Sequence, residues 1–200
     1  MIKITFDENS LNTAKKLLVI SPVKVRKAAS NAIGRTVSSM RSKVSKHIRQ
    51  TYTARATAIK GTITAKGPTR DNLQGTIRAS GSALNLTYFR LLPNPMGVIK
   101  LYKTGVKPKR RQKPMRVQIK VRGVTASVPG LFIQKSSRSG YAGPMHRYTK
   151  TAYPIKIPYG PSVPQMFGSE DVLSTFTPES EQYLNKRFLH EIKRQFSEVK

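Results

Sequence analysis

Val25, Ala29, Ile33, Val37, Met40, Val44, Ile48 and Tyr52 recur at steps of three and four residues. That spacing lines one face of an α-helix and excludes a strand, whose period is two. The pattern predicts one helix of about thirty residues, ~45 Å long at 1.5 Å per residue. Ser21-Pro22 marks its start, with Ser as N-cap and Pro at the first helical position. Gly34 weakens it slightly. Ala28, Ala29 and Ala32 keep the packed face thin near its start, which permits close approach of another helix. The opposite face carries Lys24, Lys27, Arg35, Arg41, Lys43, Lys46 and Arg49, either as a solvated face or as a surface for a polyanion.

Before this helix, Ile2 to Phe6 alternates and reads as a short strand. Asn9 or Ser10 caps a short helix to about Val19. A further short helix fits Thr53 to Ile59. The period then changes to two, and strands are predicted at Gly61–Ala65, Leu73–Ala79, Leu84–Phe89, Val98–Lys103, Met115–Arg122, Gly130–Gln134 and Ile155–Tyr159. No long helical crossover separates them, which favours antiparallel pairing. Helix returns at the C-terminus. Thr177 is its expected cap and Pro178 its first residue, and Glu179 and Glu181 suit the positive end of the helix dipole. Its apolar stripe is Tyr183, Leu184, Phe188, Leu189, Ile192, Phe196 and Val199.

The expected architecture is α+β: a long N-terminal helix, a central antiparallel β-sheet or barrel-like unit, and a C-terminal helix. A chain of this length suits a single domain, residues 1–200. It divides into an N-terminal helical region (1–52), a β-rich core (53–168) and a C-terminal helical region (169–200).

Charge narrows the partners. The chain holds 37 Lys and Arg against 9 Asp and Glu, a formal net charge of +28. Between Asn9 and Ser169 the only acid is Asp71. Such a field disfavours the compact state by self-repulsion unless a polyanion neutralises it. Nucleic acid is one reading; a solvated or acid-partnered surface is the other. Membrane-surface binding asks for bulky apolar residues opposite the Lys and Arg. The long helix offers mostly Ala, Val and Ile there, so no membrane partner is expected. With no cysteine, disulfides and thiolate metal sites are excluded. No apolar run resembles a signal peptide or a membrane span, so a soluble protein made in the cytoplasm is expected.

The inventory for catalysis is thin. His47 lies on the basic helix, His146 in a loop and His190 on the C-terminal helix. No carboxylate lies within a few positions of His47 or His146, and Glu191 points about 100° from His190 on a helix. Asp71 reads as a turn residue. Metal sites need clustered His, Asp or Glu, and none stands at ligand spacing. No catalytic residue, metal ligand or cofactor site is predicted, and an enzyme is disfavoured.

The densest basic cluster is Lys107, Lys109, Arg110, Arg111, Lys113 and Arg116, six positive charges in ten residues with two prolines. Lying between the strands predicted at Val98–Lys103 and Met115–Arg122, it reads as a hairpin loop. It either contacts phosphate through sequence-independent attraction or is simply solvated. A second loop, 135–147, mixes basic, small and aromatic residues; its Tyr141 suits base stacking or packing at a subunit contact. No base-reading motif appears, which suits DNA whose sequence does not matter.

Residues 154–168 contain four prolines, two glycines, a Tyr, a Phe and no acid. Prolines fix φ and remove backbone donors, so this is a stiff, shaped connector without chemistry of its own. Its pattern Pro-Ile-x-x-x-Tyr-Gly-Pro-Ser-Val-Pro-Gln-Met resembles the C-terminal signature of the prophage minor tail protein Z family. Gly130-Leu131-Phe132-Ile133, Arg147, the run from Ala28 to Tyr52 and Thr53-Ala54-Arg55 are similar in order and spacing. The resemblance covers about residues 22–195, and only its Gly-Pro-Ser-Val-Pro piece is distinctive.

The resemblance implies a structural virion protein of a long-tailed phage, a tail-completion protein at the head–tail junction. It implies a homo-oligomeric ring, hexameric by expectation, through which double-stranded genomic DNA passes. Tail-terminator and head-completion or connector proteins would be its neighbours. In that setting Lys107–Arg116 faces DNA or an acidic partner. Pro154, Tyr159, Gly160, Pro161, Ser162, Val163, Pro164 and Met166 form a protein–protein docking element. The alternative is a free, sequence-nonspecific nucleic-acid-binding protein.

Overall fold

The computed structural model describes residues 4–69, 72–106, 115–137, 139–147, 149, 151 and 153–197. The fold is mixed α+β, with a long N-terminal helix, small antiparallel sheets and a long C-terminal helix packed on the first. The chain forms two compact units. Unit 1 comprises residues 1–47, 61–80 and 167–200, and unit 2 comprises 48–60 and 81–166.

In unit 1, α1 (Glu8–Ile20) leads into α2 (Pro22–Thr51), which continues past His47 into unit 2. The Ser21 carbonyl accepts the first backbone bond of α2, from Val25 at 3.2 Å. The predicted face is inward: Val25, Ala29, Ile33, Val37, Met40, Val44, Ile48 and Tyr52 are all buried. Small side chains on α2 let α6 (Glu170–Ser197) approach closely. Ala28, Ala32, Ile33 and Val37 share one core with Leu184, Phe188 and Ile192. A hairpin, β1 (Ile63–Lys66) with β2 (Thr76–Ala79), adds Ile77 to this core. Just before β2, Gly75 is required. A Cβ there would lie 2.3 Å from Val37 Cγ2 and 2.9 Å from Ile33 Cγ2.

Unit 2 begins with the last turn of α2, continues with α3 (Ala56–Lys60) and holds three small sheets. β3 (Ala83–Asn85) pairs with β10 (Tyr159–Ser162). β4 (Arg90–Leu92), β5 (Arg116–Gln118) and β6 (Ala126–Ser127) form the second. β7 (Leu131–Lys135), β8 (Ala142–Arg147) and β9 (Ile155–Lys156) form the third. All these pairings are antiparallel, but the strands make separate small sheets rather than one sheet or barrel. A 3-10 turn, Leu86–Tyr88, separates β3 from β4. α4 (Met96–Lys103) precedes β5, and α5 (Val163–Phe167) follows β10.

Several sequence expectations need correction. Ile4 to Phe6 form no strand; Ile4 and Phe6 pack on the helical core, with Phe6 4.9 Å from Phe188 between ring centroids. Asp7, not Asn9 or Ser10, caps α1: its Oδ1 accepts the Ser10 N–H at 2.8 Å. Leu84–Phe89 is broken by the 3-10 turn, which Asn85 caps. Val98–Lys103 is helical. The Asn94 side chain accepts the Met96 N–H at 3.1 Å and starts the turn, and Ile99 is buried. The element before the basic run is therefore a helix and not the strand expected there, while residues 107–114 of the run lie outside the described residues. α6 starts at Glu170, with the Ser169 carbonyl accepting from Val172 and Leu173. Pro178 lies inside α6 on its exposed side, where Ser174, whose carbonyl loses its donor, is also exposed. Val199 and Ile2 lie outside the described residues.

Candidate docking and polyanion-facing surfaces

The Pro-rich segment is built into unit 2 through β10. Gly160 is required by close approach: a Cβ there would lie 2.6 Å from Cε2 of Phe89, a buried ring. Ser162 and Gln165 then cap α5 reciprocally. The Ser162 N–H donates to Gln165 Oε1 at 2.9 Å, and the Gln165 N–H donates to Ser162 Oγ at 3.3 Å. This is the capping-box arrangement, which satisfies two backbone donors at once. Pro164 suits the first turn because it needs no partner for a missing N–H.

Burial divides the eight predicted docking residues. Ser162, Val163 and Met166 are buried, and Gly160, Pro161 and Pro164 are half-buried. Pro154 is exposed, and Tyr159 is 60% exposed. The exposed members are thus Pro154 and Tyr159, with Gly160, Pro161 and Pro164 partly at the surface. The buried three anchor the segment, Ser162 through its cap on α5.

Tyr159 also borders an open apolar groove of about 440 Å³. Val117 of β5, Ala126 of β6 and Leu86 line it, with Val124 from the turn between the strands. Val124 is 91% exposed. The Lys120 chain lies on the same rim, with its ammonium 6.0 Å from the Tyr52 ring centroid.

The basic face of α2 is partly committed to internal contacts. Arg35 Nε lies 3.3 Å from Glu191 Oε1, Arg41 Nε donates to the Ile63 carbonyl at 3.3 Å, and Lys43 Nζ donates to Glu179 at 2.6 Å. Lys24 sits over the Phe196 ring at 5.6 Å. Lys27, Lys46 and Arg49 remain at the surface. Glu191 is 0% exposed and also approaches Arg194 at 3.1 Å. These contacts have ion-pair distance without hydrogen-bond alignment. The spacing of Glu191 from Leu184 and Phe188 places it on the buried stripe of α6, although it is absent from the apolar stripe expected from sequence.

Of the predicted polyanion-facing residues, Lys107, Lys109, Arg110, Arg111 and Lys113 lie outside the described residues. Arg116 opens β5 and is exposed. The charge partition is sharper than the linear sequence suggests. Unit 2 holds nineteen of the 37 Lys and Arg and none of the nine acids, which leaves eighteen bases and every acid in unit 1.

His47 gains the carboxylate that its sequence neighbourhood lacks. Its Nε2 lies 2.9 Å from Glu179 Oε2, and Nδ1 is 3.3 Å from Thr175 Oγ1. The hydrogen bond from Lys43, foremost, and the charges of Lys43 and His47 hold the Glu179 carboxyl below its ordinary 4.5. Because the folded value is depressed, this contribution is full above the unfolded value and fades as pH falls through the folded one. Glu179→Gln should cost no more than about 1 kcal/mol near neutral pH, as the pair is well exposed. The melting-temperature gap between the two proteins should close in acid; a gap that persists unchanged at about pH 2.5 contradicts the assignment.

Tyr141 does not stand out as a stacking platform. Its hydroxyl donates to Asn85 Oδ1 at 2.8 Å, and burial pushes its ionisation up to about 12. Among the described residues, no three His, Asp or Glu gather to hold a metal ion, and no helix is long and apolar enough to cross a membrane.

The prophage minor tail protein Z (GPZ) family matches residues 10–199. No curated protein and no solved structure matches the chain. The match runs from α1 to the end of α6 and takes in the Pro-rich segment, the basic run and both compact units. The chain therefore belongs to the prophage minor tail protein Z family, and it is a structural protein of the phage tail rather than an enzyme.

Proposed function

We propose that this protein completes the tail at the head–tail junction, as part of an oligomeric ring through which the double-stranded genome passes. The observation that carries the reading is the charge partition: unit 2 holds nineteen bases and no acid. A surface of one sign on a protein with no base-reading motif suits a polyanion met regardless of sequence. Copies arranged around a channel would present that charge repeatedly to the phosphates. A sixfold ring is the expected stoichiometry, with tail-terminator and connector proteins as neighbours.

Assembly also needs apolar surface, and unit 1 exposes some where α1 turns into α2. Val19, Ile20 and Val23 are 88%, 72% and 77% exposed. Contiguous exposed apolar side chains of this kind mark interaction surfaces. Subunit contacts there would cover them, while Tyr159 would face a neighbouring junction protein.

The alternative, a free nucleic-acid-binding protein, rests on the same charge without the assembly. Mass measurement in solution and in tails, beside a salt-titrated duplex-binding assay, separates the two. The ring reading expects closed oligomers in tails and DNA binding that weakens steeply with salt. A protein absent from tails that binds duplex tightly as a monomer at physiological salt overturns it.

A further inference from the structure

We infer that the apolar groove of unit 2 is a docking site for an acidic segment of another polypeptide, one that inserts a large apolar side chain between flanking carboxylates. The inference does not depend on whether the protein closes a ring around DNA.

Three observations converge. The floor and walls are apolar: Leu86, Val117, Ile119, Val124 and Val128, with the Tyr159 ring at one side. The groove's volume falls within roughly 300–1,000 Å³, the range of pockets that bind specific ligands. Its lining lacks the several converging polar groups that orient a polar small molecule. Exposed Val124 and Tyr159 leave apolar surface that a partner's side chain would remove from water.

The surroundings set the partner's charge. Arg116 and Arg122 lie on the strand and turn that build the groove, both at the surface. No carboxylate exists anywhere in this unit to balance them. DNA would satisfy the charge but not the apolar floor, since phosphate gains nothing from Val or Ile. A second copy of this chain is a poorer match, because unit 1, which holds all its acids, still carries twice as many bases. An acidic segment with an apolar anchor matches both features. The anchor supplies affinity and the flanking acids supply encounter rate and orientation.

The test uses the full chain and two fluorescein-labelled peptides of equal charge. One carries a Leu-Phe pair between runs of Asp and Glu; the other has Ser-Ser in its place. The Leu-Phe peptide should bind about tenfold tighter or more, the effect of burying one large apolar side chain. Val124→Ser with Tyr159→Ser should erase that preference while leaving duplex DNA binding unchanged. Val124→Ser alone, at a side chain that contributes little to the core, should reduce it and guards against a folding defect. Equal binding of the two peptides shows that charge alone is at work and overturns the proposal. So does a preference that survives both substitutions. Loss of duplex affinity in the variants assigns the groove to DNA instead, and loss of self-association assigns it to a second copy; either result overturns the proposal.

Discussion

Replacing Lys109, Arg110 and Arg111 together with Gln should lower affinity for duplex DNA on the order of a hundredfold near 0.15 M salt. The estimate follows from counterion release, in which each phosphate contact adds about 0.9 to the slope of log affinity against log salt. Three contacts contribute a slope of about 2.7, which is roughly two decades at that salt concentration relative to 1 M. The slope itself should fall by the same ~2.7, whatever the sequence of the duplex. The three residues belong to the densest run of charge in a unit with no acid to pair with. No acid within unit 2 is there to absorb the change, as Glu191 and Glu179 absorb Arg35 and Lys43 in unit 1. In particles, the same variant should assemble tails and fail in DNA retention or delivery. Unchanged slope and full infectivity would show that the run is merely solvated.

Phe176→Ala should cost about 3–5 kcal/mol, the usual loss when a buried aromatic is truncated in a close-packed site. Phe176 is 1% exposed. Its ring meets Phe167 edge-on at 5.2 Å between centroids and His47 at 5.4 Å. Its backbone carbonyl also accepts the Ser180 hydroxyl at 2.7 Å, which satisfies that buried hydroxyl. The cavity would open beside the His47–Glu179–Lys43 contacts, so their support goes with it. Leu189→Ala, on the same helix but 40% exposed, should stay within about 0.5 kcal/mol. Denaturant titration of both variants checks the contrast. Similar losses would mean that the C-terminal helix does not carry its core where the structure places it.

Much of the helical frame was legible in the sequence, because two long helices repeat their apolar residues for many turns. The eight residues from Val25 to Tyr52 announce α2, and Leu184, Phe188 and Ile192 announce α6. Short elements were harder. Val98–Lys103 is rich in residues that suit strands, and a run of six carries too little period to decide. Asn94-Pro95 before it was the available helix signal. Pro178 imitated a helix start, while the true start at Ser169-Glu170-Asp171 had acids in the first turn but no proline. β8 was missed because Gly143 and Pro144 give it the composition of a loop.

The surfaces divide in the same way. The stiffness of 154–168 follows from its prolines, but which of its side chains face inward depends on Phe89, some seventy residues away in sequence. His47 and Arg35 meet their carboxylates, Glu179 and Glu191, from far more distant parts of the sequence, so neither of these two ion pairs has a local signal. Total charge was plain from composition. The lack of acid in 48–60 and 81–166 was equally plain, since Asp71 alone interrupts the acid-free sequence between Asn9 and Ser169; the fold adds that these two stretches form one unit.

Cryo-electron microscopy of the phage particle that carries this chain tests the central claim most directly. The account predicts a closed ring of copies at the head-proximal end of the tail, with residues 107–116 lining the channel occupied by DNA. A protein found elsewhere in the tail, or a ring whose acid-free unit faces away from the channel, would contradict it.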